Sequence, residues 1–159
     1  GVETDSQDAD GQIVAEKDPA GVSADQVRAQ MRARLGDQLQ TPPMVSAIKL
    51  NGVPLYKLAR QGQTVERAPK LIHVYRFELL DFSPPDVRFA VECTKGTYVR
   101  TLAHDVGQSL GVGAHLVQLR RTKIGQLDVA RAHPLADLLE APALDGKIIP
   151  LAAALPLLS

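Results

Sequence analysis

Two runs of alternating apolar residues on either side of Ser83-Pro-Pro-Asp86 constrain this chain more than any other feature. In Val87–Thr94, the residues Val87, Phe89, Val91 and Cys93 alternate with Arg88, Ala90, Glu92 and Thr94. In Leu71–Phe82, a period of two puts Leu71, His73, Tyr75, Phe77 and Leu79 on one face. Period-two alternation gives a strand one apolar and one polar side, and a Pro-Pro-Asp turn reverses it. The pair therefore reads as an antiparallel hairpin that must bury one face and wet the other.

What covers that face is written in the flanking segments. Ser23 and Gln26 have capping-box spacing, and Val27, Met31 and Leu35 recur at i, i+4 and i+8, so a helix is predicted that Gly36 ends. Leu102, Val106 and Leu110 mark a second helix face, closed by Gly111 and Gly113. A short helix is expected over His115–Arg121, a strand near Lys123–Leu127, and a last helix from Pro134 to Leu139. Residues 5–11 read as an acidic loop, Gln12–Glu16 as a short strand, and Leu55–Arg60 as a brief helix inside an extended arm at 41–62. The fold class is α+β, a mixed, mainly antiparallel sheet with flanking helices.

Composition narrows the function classes. A single cysteine, Cys93, excludes an internal disulfide and a Cys-rich zinc site, and it suits a reducing cytoplasm. No apolar run approaches a membrane span, and no signal peptide is expected. The formal net charge is zero, but it is unevenly spread. Residues 1–40 carry a net −4, residues 41–123 a net +6 and residues 124–159 a net −2. A basic middle between acidic ends suits a phosphate-rich partner, although scattered solvated charges give the same totals.

The stretch Thr94-Lys-Gly-Thr-Tyr-Val-Arg-Thr-Leu102 concentrates the chemistry. A strand leaves the sheet, turns at Gly96 and enters a helix near Tyr98, with Lys95 and Arg100 close by. Helix-start amides and two cations attract an anion, and a tyrosine ring beside them can stack on a base. A capped helix with Tyr98 in the core and Arg100 on the surface accounts for the same residues.

Residues 94–102 resemble the KGTYIRTL motif of TruB-type tRNA pseudouridine synthases. Three further segments resemble the same family: Gly111-Val-Gly-Ala-His-Leu-Val-Gln-Leu-Arg-Arg-Thr122 with Gly125, Gln40-Thr-Pro-Pro-Met-Val-Ser-Ala-Ile-Lys49 running on to Gly62, and Thr4-Asp-Ser-Gln-Asp-Ala-Asp-Gly11. Four motifs in one order span about residues 1–127. The resemblance implies a partial catalytic domain over 1–133, with an RNA-contacting arm at about 41–62, and a tail over 134–159.

It also implies an activity: isomerisation of a T-loop uridine of tRNA to pseudouridine. The N-glycosidic bond is broken, the base is rotated, and it is rejoined through carbon after being flipped out of the loop. No metal or organic cofactor is implied, and the four histidines form no evident ligand cluster. By resemblance, Tyr98 lies against the target base, Arg100 pairs with a catalytic aspartate, and Leu119 walls the base from water. Lys49, Lys57, Arg60, Lys95, Arg120 and Arg121 are the expected RNA contacts. The expected partner is the T stem-loop of tRNA, bound by a monomer in the cytoplasm, without membrane or metal. His115, His73 and His133 read as structural and His104 as a helix-surface residue.

Two departures from the family pattern matter. Val45 stands where tyrosine is usual, which removes a ring from the arm. The G-x-L-D-P-x-A-T-G-type segment that carries the family's aspartate has no counterpart in these 159 residues, nor does the C-terminal RNA-binding appendage. Asp105 and the loop acids Asp5, Asp8 and Asp10 are not expected to replace it. Asp105 is read as a helix-surface residue or a partner of His104. This chain alone is thus expected to bind tRNA without turning it over and to be marginally stable. A non-catalytic structured-RNA-binding module is the alternative. A protein-interaction domain fits less well, and an unrelated small-molecule enzyme least, since no P-loop or dinucleotide fingerprint is present.

Overall fold

In the computed structural model, which describes residues 1–50 and 52–155, the chain forms two compact units, Gly1–Gln118 and Leu119–Ser159. Asn51, half of an Asn-Gly pair in the arm, lies outside the described residues, as do residues 156–159 of the tail.

The first unit opens with a small antiparallel pair, β1 (Val2–Thr4) and β2 (Ile13–Glu16), joined by the acidic loop. Helix α1 (Ala24–Arg32) follows, with the predicted capping box in place. Gln26 N–H donates to Ser23 Oγ at 3.2 Å, and Ser23 N–H donates to Gln26 Oε1 at 2.8 Å. The helix ends at Arg32, three residues before the end of the apolar period at Leu35, and Leu35 is exposed. Gly36 opens a strand instead of closing a helix, at φ +85°, where glycine pays no Cβ penalty. That strand, β3 (Gly36–Gln40), was not foreseen, because its Gly-Asp-Gln-Leu-Gln sequence has little β-propensity. Pairing with a long neighbour decides it.

A two-residue hairpin, β4 (Lys49–Leu50) and β5 (Val53–Pro54), leads into α2 (Leu55–Arg60), with Leu55 buried. Then come β6 (Lys70–Ser83) and β7 (Asp86–Cys93), the predicted hairpin. The three long strands form one antiparallel sheet in the order β3-β6-β7. Helix α3 (Val99–Ser109) and α1 pack on it. The core is Val27 and Met31 from α1, Ile72, Val74 and Phe77 from β6, and Leu102 and Val106 from α3. Phe77 meets Phe89 of β7 edge to face, with ring centroids 5.2 Å apart.

The expected face of β6 is right only in its middle. Register shifts between Val74 and Arg76 and between Leu79 and Asp81 each insert one extra residue. Each such bulge reverses the side-chain alternation. The inward residues are therefore Ile72 and Val74, then Phe77 and Leu79, then Phe82. Leu71 and Tyr75 point outward, and Leu71 faces Leu39 of β3 as an exposed apolar pair.

Residues 115–121 are irregular rather than helical. Parallel pairing of Asp8 with Leu116 claims the backbone there, so its amides have partners outside a helix. In the second unit, β8 (Lys123–Ile124) and β9 (Leu127–Asp128) form a small hairpin around Gly125. Helices α4 (Leu135–Leu139) and α5 (Leu151–Ala154) are short, and Pro134 caps α4 instead of forming its first turn. No helix among the described residues is long and apolar enough to cross a membrane.

Candidate functional site

The site is built where β7 hands over to α3. Thr94 continues the β-ladder, its N–H donating to His73 O at 2.9 Å. Gly96, at φ +84°, reverses the chain, and Tyr98 becomes the N-cap of α3 in an extended conformation. Arg100, in the first turn, turns its guanidinium toward the acidic loop. Its Nη1 donates to Asp8 Oδ2 at 2.5 Å, its Nη2 donates to Val45 O, and its Cζ lies 5.8 Å from the centroid of the Tyr98 ring. Because Val45 contributes its carbonyl, the arm keeps this contact whatever side chain stands there.

The acidic loop is shaped around Asp8. Its Oδ1 accepts from Ser6 Oγ at 2.5 Å and from Asp10 N–H at 3.2 Å, while Oδ2 faces Arg100. Burial alone would push this carboxyl up. The hydrogen bonds from Ser6 and Arg100, with the charge of Arg100, outweigh it and hold Asp8 below the usual carboxylate range. Gln7 precedes it at φ +65°. Three contacts hold Gln7 in that conformation: Thr101 Oγ1 donates to Gln7 Oε1 at 2.7 Å, Leu116 N–H donates to Gln7 O, and Gln7 N–H donates to Thr4 O, while Ala9 N–H donating to Leu116 O fastens the loop beside it. Gly11 closes the turn where a Cβ would lie 2.3 Å from Ser6 Oγ.

Tyr98 is gripped from the sheet. Gln40, buried at the end of β3, accepts from Tyr98 N–H through Oε1 at 2.8 Å and donates to Tyr98 O through Nε2 at 3.1 Å. Gln40 opens one of the family-like segments, but no role for it was legible there, because the strand that carries it was itself unread. Asp8 was visible only as one of three loop acids, and no local feature separated it from Asp5 or Asp10.

Lys95 is exposed on the turn beside Tyr98, and Lys49, Lys57 and Arg60 are exposed on the arm. Arg60 lies over the Tyr56 ring, 5.6 Å from its centroid. The arm is anchored by Leu55 N–H to Ile48 O and by Tyr56 N–H to Ser46 O. Leu119, Arg120 and Arg121 are exposed and belong to the second unit.

Asp105, read as a helix-surface residue or a partner of His104, is not on the helix surface. It is half-buried, and burial raises its carboxyl above the ordinary range, with Arg34 and His104 opposing. Arg34 Nη2 donates to Asp105 O at 2.5 Å and to Ser109 Oγ at 2.7 Å, which makes this cluster a clasp between the segment after α1 and α3. His104 is half-buried too, and His115 Nδ1 lies 2.9 Å from Val2 O. No group of three or more metal-ligating side chains occurs among the described residues.

The family model for the TruB family pseudouridylate synthase N-terminal domain matches residues 1–99, and that for the tRNA pseudouridylate synthase B C-terminal domain matches residues 100–155. The tRNA pseudouridine synthase B of Opitutus terrae is 51% identical over 156 residues, covering 96% of this chain and 64% of that protein. The protein of the same name from Syntrophotalea carbinolica is 50% identical over 132 residues, covering 83% of this chain and 43% of its own length. Among solved structures, a chain in the crystal structure of a Cbf5-Nop10-Gar1 complex superposes with a TM-score of 0.60 at 33% identity. That match covers 75% of this chain and 31% of the other. The chain thus spans less than two thirds of the length of these relatives.

Proposed function

From the premise that this chain belongs to the TruB family of pseudouridylate synthases, we propose that it is part of an enzyme that isomerises a T-loop uridine of tRNA to pseudouridine. One observation carries the reading: Tyr98 and Arg100 stand together at the start of α3, with Arg100 locked to Asp8 and to the arm. A flipped-out uracil takes the Tyr98 ring as its stacking partner. Arg100 has five N–H donors, and the structure engages two atoms of its fork, so donors remain for a second carboxylate.

That second carboxylate is the nucleophile of the proposed reaction, and it comes from outside these 159 residues. Asp8 does not serve, because both of its oxygens are already hydrogen-bonded. Its role is to hold the guanidinium in place and offset part of its charge. Leu119 walls the base, and Lys49, Lys57, Arg60, Lys95, Arg120 and Arg121 take phosphates of the T stem-loop. The same proposal includes a catalytic portion over 1–133, a tail over 134–159, a monomeric protein without cofactor, and a cytoplasmic location suited to the single Cys93. Alone, the chain grips tRNA without turnover, and the exposed cations of the arm support that part.

The test is pseudouridine formation in an unmodified tRNA transcript. The chain alone is compared with the chain joined to the upstream segment of the Opitutus terrae relative. Turnover by the joined protein only, lost in Tyr98→Ala, supports the reading. Turnover by the chain alone would put the nucleophile within these residues and overturn the role given to Asp8.

A further inference from the structure

Gln40 and Tyr98 are 58 residues apart in sequence, yet one planar amide closes two hydrogen bonds on both backbone groups of a single residue. The bond from Tyr98 N–H is needed, because the first amides of a helix lack intrahelical partners and Tyr98 has no side-chain cap bond. The second bond is not needed for satisfaction. Tyr98 O already accepts from Thr101 N–H at 3.1 Å and Leu102 N–H at 3.2 Å, which fills its two lone pairs. What the Nε2 contact adds is orientation: one rigid amide bonded to the peptide groups on both sides of the Tyr98 Cα fixes φ and ψ there and so the direction of its Cα–Cβ bond. Gln40 is itself 4% exposed and paired with Lys70 through the sheet, so its amide has neither water nor freedom to go elsewhere.

We infer that Gln40 is a positioning residue, which aims the Tyr98 ring at the base from the end of β3. The inference rests on the proposed role of Tyr98. It divides the work between two anchors, with Gln40 fixing the backbone of the ring and Asp8 fixing the guanidinium beside it. Both anchors reach α3 from elements distant in sequence, so the ring and the cation keep one relative geometry while the arm engages RNA.

The experiment uses the joined protein of the preceding test, with Gln40→Met, Gln40→Glu and Tyr98→Ala. Gln40→Met matches the length and removes both hydrogen bonds. It is expected to lower kcat about 10- to 100-fold while leaving KM and tRNA affinity within about 3-fold, the scale of a misaimed reacting group. Gln40→Glu supplies a signature that a purely structural residue would not. As a carboxylate it keeps the acceptor but loses the donor, and as a carboxylic acid it regains one donor beside one acceptor, as in the amide. Burial raises the pKa of such an acid. The ratio of Gln40→Glu to parent kcat should therefore climb as pH falls between about pH 8 and pH 6, while the Gln40→Met ratio stays flat.

A pH-independent Gln40→Glu ratio, or Gln40→Met turnover within about 3-fold of the parent, overturns the role given to Gln40. So does a loss of activity in both variants that tracks the loss of a cooperative thermal melt. If Tyr98→Ala keeps full turnover, the proposed site itself falls. If Tyr98→Ala is dead and the Gln40 variants are normal, only the positioning role falls.

Discussion

Removing Asp8 tests the link between the acidic loop and α3 without touching Tyr98 or Arg100. The side chains of Arg100 and Asp8 are 19% and 26% exposed, so the pair sits between two known regimes. Exposed ion pairs are worth up to about 1 kcal/mol, whereas orphaning one partner of a buried pair costs about 3–5 kcal/mol. With most of each side chain withdrawn from water, about 2 kcal/mol is expected for the orphaned guanidinium. The hydroxyl of buried Ser6 also loses its 2.5 Å acceptor and keeps only Asp8 O at 3.3 Å, at about 1 kcal/mol. Asp8→Ala should therefore destabilise the first unit by about 3 kcal/mol, or roughly 10 °C in Tm for a domain of this size. Asp8→Asn keeps one oxygen, enough for Ser6 and Asp10 N–H but not for Arg100, and should cost the orphaned-guanidinium share of about 2 kcal/mol.

The assay is urea unfolding followed by far-ultraviolet circular dichroism at several pH values. Asp8 is held below its ordinary range in the folded state. Its contribution is then fully present above the unfolded carboxylate value of about 4, and it fades as pH falls through the lower folded value. The gap between parent and Asp8→Asn should accordingly narrow below about pH 4. Equal midpoints for parent and Asp8→Ala at pH 7, or a gap that ignores acid, would refute this account of the pair.

Other parts of the structure make equally direct demands. At Gly107 a Cβ would lie 2.3 Å from Ala114 N, a backbone atom, whereas at Gly111, with φ +77°, nothing lies within 4 Å. Gly107→Ala should thus cost more than about 2 kcal/mol and Gly111→Ala only about 1 kcal/mol, as read from denaturant midpoints. Equal losses would mean that α3 does not approach residues 113–114 as described. Ser23→Ala breaks the capping box of α1 and should cost about 1 kcal/mol, and a neutral result would show that the cap is dispensable. If Lys57 and Arg60 contact phosphate, replacing either with alanine should shallow the salt dependence of tRNA binding by about one unit of slope. An unchanged slope in a gel-shift series over salt would remove the arm from the interface.

Local order in this protein was legible wherever neighbouring residues decide it. The β6–β7 hairpin follows from alternation around Ser83-Pro-Pro-Asp86, the start of α1 from Ser23 and Gln26, and the turn into α3 from Gly96. The family was likewise readable from motifs that are contiguous in the chain. The bulges at Tyr75 and Leu80 were not, because an extra residue in a ladder is defined by the partner strand. Nor was β3, a polar segment that becomes a strand only because β6 offers its edge. The partners of the site residues are the sharpest case: Arg100 meets Asp8 across 92 positions, and Tyr98 meets Gln40 across 58. A sequence specifies periodicity and capping through neighbours along the backbone. Which of three loop acids faces a guanidinium, and which glutamine closes on a peptide, depends on distances in space that exist only after the sheet and α3 have packed.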